Sequence, residues 1–165
     1  MYVITYRLYA TATTGEELPV TNQATAATTT EELAERYGEA WNSQDLEAIM
    51  ELHADDCVFC AHAAGSPAAE GKDAVREAFA AYLAQLPDIN FATRSLRCGD
   101  DYWVLESTMT GTVAQPLEVD DESVGALGAK VEVDCIDVIE VRDGLIASKD
   151  TYLDSLTMQQ QLEAS

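Results

Sequence analysis

The run Lys130-Val-Glu-Val-Asp-Cys-Ile-Asp-Val-Ile-Glu-Val141 decides how this chain folds. With a strand period of two, Val131, Val133, Cys135, Asp137, Ile139 and Val141 share one face. Glu132, Asp134 and Glu140 fall on the other face. The polar face already holds three carboxylates, so Asp137 interrupts an apolar one. A carboxylate buried without partners is costly; it must be paired, hydrogen-bonded or protonated. A protonated carboxyl in an apolar pocket donates a hydrogen bond to a substrate oxygen, which makes Asp137 a candidate catalytic group. The competing reading is a core aspartate bonded to backbone or to an arginine.

Further strands flank this one. The patterns Asn90–Arg97, Asp101–Gly111 and Leu145–Asp154 read as strands, with turns at Gly99-Asp-Asp and Arg142-Asp-Gly144. Ala114–Ala129 reads as a long acidic loop. Helices come before them. Thr28 with Glu31, or Thr29 with Glu32, makes a capping box ahead of a stripe of Leu33, Tyr37, Ala40 and Trp41. Asp45 caps a short second helix that carries Leu46, Ile49, Met50 and His53, the last packed or facing solvent. A strand from Cys57 to about His62 follows. Gly71 opens a third helix with Val75, Ala78, Phe79, Tyr82, Leu83 and Leu86 on one side, stopped by Pro87. A short helix over Ser155–Gln161 closes the chain. Helices followed by a mainly antiparallel sheet make an α+β domain over residues 30–165. Residues 1–29 read as an extension with little to bury, although the first ten alternate like an edge strand.

The 165 residues suffice for one domain with a real core. Charge is the extreme property: 30 Asp and Glu against 9 Lys and Arg, a formal −21. Such a surface repels nucleic acid and anionic membrane, so neither is an expected partner. Lysine occurs only at Lys72, Lys130 and Lys149. A halophilic cytoplasm and an ordinary acidic protein explain this equally well. No apolar run approaches the ~20 residues of a spanning helix, and the N-terminus lacks a signal-peptide pattern, so a cytoplasmic protein is expected.

Four cysteines occur, at Cys57, Cys60, Cys98 and Cys135. Cys57 and Cys60 form a C-x-x-C, a redox or metal signal in other contexts. Here it lies on a strand, where residues three apart point to opposite faces, so the pair does not chelate. Free, mostly buried thiols are expected. Asp100, Asp101, Asp120, Asp121 and Glu122 read as solvated charge. No metal and no cofactor are expected.

Several motifs, in order, resemble the nuclear transport factor 2-like superfamily, and within it the SnoaL-like and ketosteroid isomerase families. They are Ala-Glu-Arg-Tyr37, Asp45-Leu-Glu-Ala-Ile, His-Ala-Asp-Asp56, Gly71-Lys-Asp-Ala-Val, Asp134-Cys-Ile-Asp137-Val, Arg142-Asp-Gly-Leu-Ile, and Tyr152-Leu-Asp154 followed by Gln160-Gln-Leu162. The resemblance covers about residues 30–162. It implies a cone-shaped α+β barrel, with three N-terminal helices packed on a curved sheet around an apolar pocket. It also implies a homodimer and a small hydrophobic ligand.

The resemblance matches Tyr37 to the tyrosine that donates to a substrate oxyanion and Asp137 to its protonated partner. Related polyketide cyclases use an aspartate on this strand as an ionised base, which gives Asp137 a second, incompatible role. Counting without gaps from Asp55-Asp56, the isomerase base falls at Ala61, and alanine cannot carry a proton. His62, next along, is the substitute if the strand bulges; histidine as a type suits acid/base work near neutrality. The implied chemistry is cofactor-free acid/base catalysis through an enolate, of isomerase or cyclase type, on a cyclic carbonyl compound. The alternatives are a non-catalytic ligand-binding or dimerisation module, and an epoxide hydrolase resembling limonene epoxide hydrolase. The latter needs an Asp-Arg-Asp set around a water, for which Arg94 and Arg97 are available. Glu106 and Asp154 lie on strands that could line the cone.

The charge alone makes one prediction. Self-repulsion destabilises the compact state at low salt and is screened as the Debye length shrinks from about 30 Å at 0.01 M to about 3 Å at 1 M. The melting temperature, read by circular dichroism, is therefore expected to rise with sodium chloride over that range. A flat or falling profile would show that the acidic surface carries no net strain.

Overall fold

The computed structural model describes residues 29–62, 67–115, 117–119, 122–124 and 126–164. The proposed extension, residues 1–29, lies outside this range but for its last residue. Helix α1 spans Thr30–Asn42, and Thr29 with Glu32 forms the capping box in full. The alternative pair, Thr28 with Glu31, is not the one used. The apolar stripe of α1 buries Leu33, Tyr37, Ala40 and Trp41, as its period requires. Helix α2 spans Leu46–Glu51, with the Asp45 carboxylate accepting from the Ala48 N–H.

Strand β1, His53–Ala61, starts earlier than its sequence suggests. His53 is therefore its first residue rather than part of α2. A two-residue strand β2, Ala69–Glu70, pairs antiparallel with β1. Helix α3, Lys72–Gln85, follows Gly71, whose φ of +84° suits glycine. Strands β3 (Asn90–Cys98) and β4 (Tyr102–Thr112) form an antiparallel pair. The expected acidic loop instead contains a hairpin of β5 (Leu117–Val119) and β6 (Glu122–Val124), a separate two-stranded sheet. Strands β7 (Lys130–Arg142) and β8 (Leu145–Leu153) are joined by Asp143-Gly144. Both turn residues have positive φ, 54° and 76°, as a tight two-residue hairpin turn needs. Helix α4, Ser155–Glu163, is capped by Asp154.

The main sheet has the order β2-β1-β8-β7-β4-β3; β1 and β8 run parallel and the other neighbours antiparallel. It is curved but not closed, and makes the α+β cone expected from the sequence. Along β7 the side chains alternate as read from sequence: Val131, Val133, Cys135, Asp137 and Ile139 are buried, and Glu132, Asp134 and Glu140 are exposed.

One irregularity sets the register of β8. Arg142 pairs with Leu145 and Val141 with Ile146, but Glu140 then pairs with Ser148. Ala147 is the extra residue of a β-bulge. Beyond it Ile139 faces Lys149, Asp137 faces Thr151 and Cys135 faces Leu153.

The core under α1, α2 and α3 includes Trp41, Ile49, Met50, Phe79, Trp103 and Ile139. His53 is buried within it, 1% exposed. One ring nitrogen, Nδ1, lies 2.9 Å from the Ile49 carbonyl oxygen, and Nε2 has no protein partner. Burial pushes the imidazole pKa down to about 4, with the charges of Lys149 and Lys72 adding to the effect against the Ile49 hydrogen bond. The unfolded imidazole takes a proton near 6.5 that the folded one refuses until about 4. Its contribution is therefore full above pH 6.5 and lost as pH falls toward 4. Urea unfolding at about pH 7 and about pH 5 is expected to differ by roughly 2 kcal/mol through this residue. His53→Asn should remove that part of the slope; an unchanged slope would place the titration elsewhere.

Candidate active site

A pocket opens between the helices and the inner face of the sheet, with a small cavity volume of about 50 Å3. Its walls are aromatic and aliphatic. Trp41 comes from α1, Phe79 and Tyr82 from α3, Phe59 and Ala61 from β1, Phe91 from β3 and Met109 from β4. Three polar side chains converge on it from the sheet: Asp137 on β7, and Lys149 and Thr151 on β8.

These three form one network. The Lys149 Nζ lies 2.7 Å from Asp137 Oδ2, with side-chain exposures of 7% and 5%. The Thr151 hydroxyl donates to Asp137 Oδ1 at 2.6 Å. The Cys135 thiol lies 3.9 Å from the same oxygen. Both carboxylate oxygens are thus partnered, as a buried charge requires. The Lys149 ammonium also lies 5.6 Å from the centre of the Tyr37 ring and 5.9 Å from that of Trp41, within reach of cation–π attraction. Burial, reinforced by the Asp137 charge, pushes the Cys135 thiol up to about 12, so it stays protonated at neutral pH.

The three residues singled out from sequence separate here. Asp137 is buried, 4% exposed, and lines the pocket. Its partner is a lysine rather than backbone or an arginine. Tyr37 is buried behind the wall, edge-on to Trp41 at 6.3 Å and Trp103 at 6.0 Å, and is not a lining residue. Burial above all raises its hydroxyl well above the usual phenol value. Its hydroxyl and the Trp41 indole nitrogen have no partner in hydrogen-bonding geometry, although Trp41 is near enough to offset part of that rise.

His62 faces away from the pocket. Cys57, Phe59 and Ala61 alternate inward along β1, Ala61 lining the pocket, and the strand does not bulge between Val58 and Ala61. His62 therefore follows on the outer face, where its Nε2 meets Asp150 Oδ1 at 2.6 Å. It is not placed to carry a proton to a ligand in the pocket. Arg94 and Arg97 pair with Asp134 and Glu106 at exposed positions outside the pocket lining. Asp154 is occupied as the cap of α4.

Lys149 and Thr151 are the site residues that sequence reading missed. The available signal was a lysine within an apolar strand of a chain with three lysines. Its face, however, depends on the bulge at Ala147, which no turn residue announces.

A family model described as a SnoaL-like domain matches residues 34–149. No curated protein matches the chain by sequence. Solved structures share the fold. A candidate SnoaL-like polyketide cyclase from Jannaschia sp. CCS1 superposes with a TM-score of 0.71 at 18% identity, covering 87% of this chain and 99% of that one. A protein of ketosteroid isomerase-like fold from Catenulispora acidiphila DSM 44928, in complex with trimethylamine, gives 0.66 at 18% identity, covering 82% and 95%. TerC co-crystallised with polyporic acid gives 0.64 at 16% identity, covering 81% and 97%.

The pair makes a sharp energetic prediction. Removing one member leaves the other as an unpaired buried charge, which costs about 3–5 kcal/mol, whereas replacing both with apolar groups is often neutral. Lys149→Met and Asp137→Leu are each expected to lose that much stability in urea unfolding, and the double variant to recover most of it. Additive losses would show that the two charges do not depend on each other.

Proposed function

The chain belongs to the SnoaL-like domain family, and from its apolar pocket with one buried ion pair we propose a cofactor-free acid/base enzyme of cyclase or isomerase type. Its substrate is a small, hydrophobic, cyclic carbonyl compound. The observation that carries this reading is the Asp137–Lys149 pair set among aromatic and aliphatic walls. Lys149 and the Thr151 hydroxyl both donate to the Asp137 carboxyl oxygens, so the geometry makes Asp137 an acceptor and supports the base role over the donor role.

In this reading the ring of the substrate lies against Trp41, Phe59 and Phe79. Asp137 takes a proton from the carbon next to the carbonyl. The C–H electron pair forms a C=C bond as the carbonyl π pair moves onto oxygen, giving an enolate whose charge Lys149 offsets. The protonated Asp137 then returns the proton to carbon, or the enolate carbon attacks a second carbonyl within the molecule, closes a ring, and the new alkoxide takes the proton from Asp137. Thr151 holds the carboxylate in one orientation throughout. Tyr37 acts through the wall, by packing against Trp41 and under Lys149. Structural neighbours that hold trimethylamine or polyporic acid support a small-molecule ligand. The placement of Arg94 and Arg97 outside the pocket gives the epoxide hydrolase alternative no Asp-Arg-Asp set.

Two measurements test the proposal together. A fluorescent fused-ring phenol, which mimics an enolate, is expected to bind wild type and to lose affinity in Lys149→Met. Hydrogen–deuterium exchange next to the carbonyl of small cyclic ketones, followed by NMR, is expected to be accelerated by wild type. Asp137→Asn should slow it by about 100- to 10,000-fold, the usual worth of a general base. Phenol binding without exchange would instead identify a ligand-binding module, for which Ala61 at the expected base position is the supporting observation.

A further inference from the structure

The outer face of the sheet carries a second cluster, unconnected to the pocket chemistry. Cys60 on β1 is the register partner of Asp150 on the parallel strand β8. His62, one residue past the end of β1, is tied to the same strand by its N–H to the Thr151 carbonyl at 2.8 Å. One Cys60, one His62 and one Asp150 ligand atom lie within 4.8 Å of one another. The His62 ring stacks flat on Tyr152, centroids 4.1 Å apart and planes 1° apart, which fixes its orientation.

From this geometry we infer a site for a divalent transition metal of borderline softness, zinc above all, held by Cys60, His62 and Asp150 on the outer face of the β1–β8 pair. Thiolate, imidazole and carboxylate together are a zinc donor set, and three protein ligands leave a fourth position for water. Around a tetrahedral zinc with bonds of about 2.0–2.3 Å, ligand atoms sit about 3.3–3.8 Å apart. The cluster needs only small side-chain rotations to reach this. His62 and Asp150, now in hydrogen-bond contact, must separate by under about 1 Å. Their side chains are 37% and 39% exposed, so an ion can enter. The ion takes the place of the His62–Asp150 hydrogen bond, and the thiol proton it displaces goes to solvent.

Three features set this site apart from the general attraction of an acidic surface for cations. It contains a thiol and an imidazole, two of its ligands sit on paired strands and the third is tied to β8 by its backbone N–H, and a ring stack orients one of them. The C-x-x-C does not contribute as a pair, because Cys57 is fully buried on the inner face. The expectation of no metal weighed that pair and the acidic turns, and a site assembled across two strands was not visible to it. A bound ion would clamp β1 to β8, the strands that carry Ala61, Lys149 and Thr151 inward.

Cobalt titration under reducing conditions tests the site, with sodium chloride at about 0.5 M to screen diffuse binding. One equivalent of Co2+ is expected to produce a thiolate-to-cobalt charge-transfer band, and Zn2+ to displace it. The band should vanish in Cys60→Ser and persist in Cys98→Ser. Since losing a mere supporting group of a metal site costs about 10- to 100-fold in affinity, His62→Ala should cost at least that. Zinc should also raise the melting temperature of wild type and not of Cys60→Ser. No band, or a band that survives Cys60→Ser, would overturn the proposal.

Discussion

The bulge at Ala147 is the constraint on which the site depends. Were the register set by Arg142↔Leu145 and Val141↔Ile146 to continue unbroken, Asp150 would stand opposite Asp137. Two carboxylates would then share an apolar cavity and Lys149 would face solvent. The one-residue slip exchanges the two faces of β8. It brings Lys149 and Thr151 inward to Asp137 and sends Asp150 outward to Cys60 and His62. Electrostatics and register support each other here: the bulged pairing alone gives the buried carboxylate a cation.

A buried ion pair is weak evidence for stability, since desolvation consumes most of the Coulombic gain. Its presence in a cavity otherwise lined by Trp41, Phe59, Phe79 and Phe91 therefore points to use. The pair also differs from the resemblance-based expectation. A neutral carboxyl beside Tyr37 would form a donor pair for an oxyanion. Instead, Lys149 and Thr151 both donate to the Asp137 carboxyl group. Tyr37 is left behind the wall, its ring under the ammonium.

Much of this was legible in sequence because it rests on local periods. The alternation in β7 places Asp137 on the buried face without reference to any other strand. The capping box at Thr29 and the stripe from Leu33 to Trp41 fix α1, and Asp143-Gly144 fixes the hairpin. What stayed hidden depends on pairing between strands. Lys149 and Asp150 are adjacent in the chain, and which of them turns inward is decided by an alanine with no turn signature. The cluster of Cys60, His62 and Asp150 is likewise a product of the parallel β1–β8 pairing, across 88 residues between His62 and Asp150. The β5–β6 hairpin lacks a Gly-containing turn between its strands, so its segment reads as a loop.

The position of Lys149 gains meaning from the charge of the whole. A protein of formal charge −21 surrounds the pocket with negative potential. The same field disfavours the approach of an anionic substrate, and most strongly at low salt. A neutral carbonyl compound meets no such barrier. In the proposed reading its negative charge develops only after it is seated, next to Lys149 and between the aromatic side chains of the pocket. Acidity outside and Lys149 inside thus fit that reading, in which a neutral ligand becomes anionic in the pocket, the charge course of enolate formation.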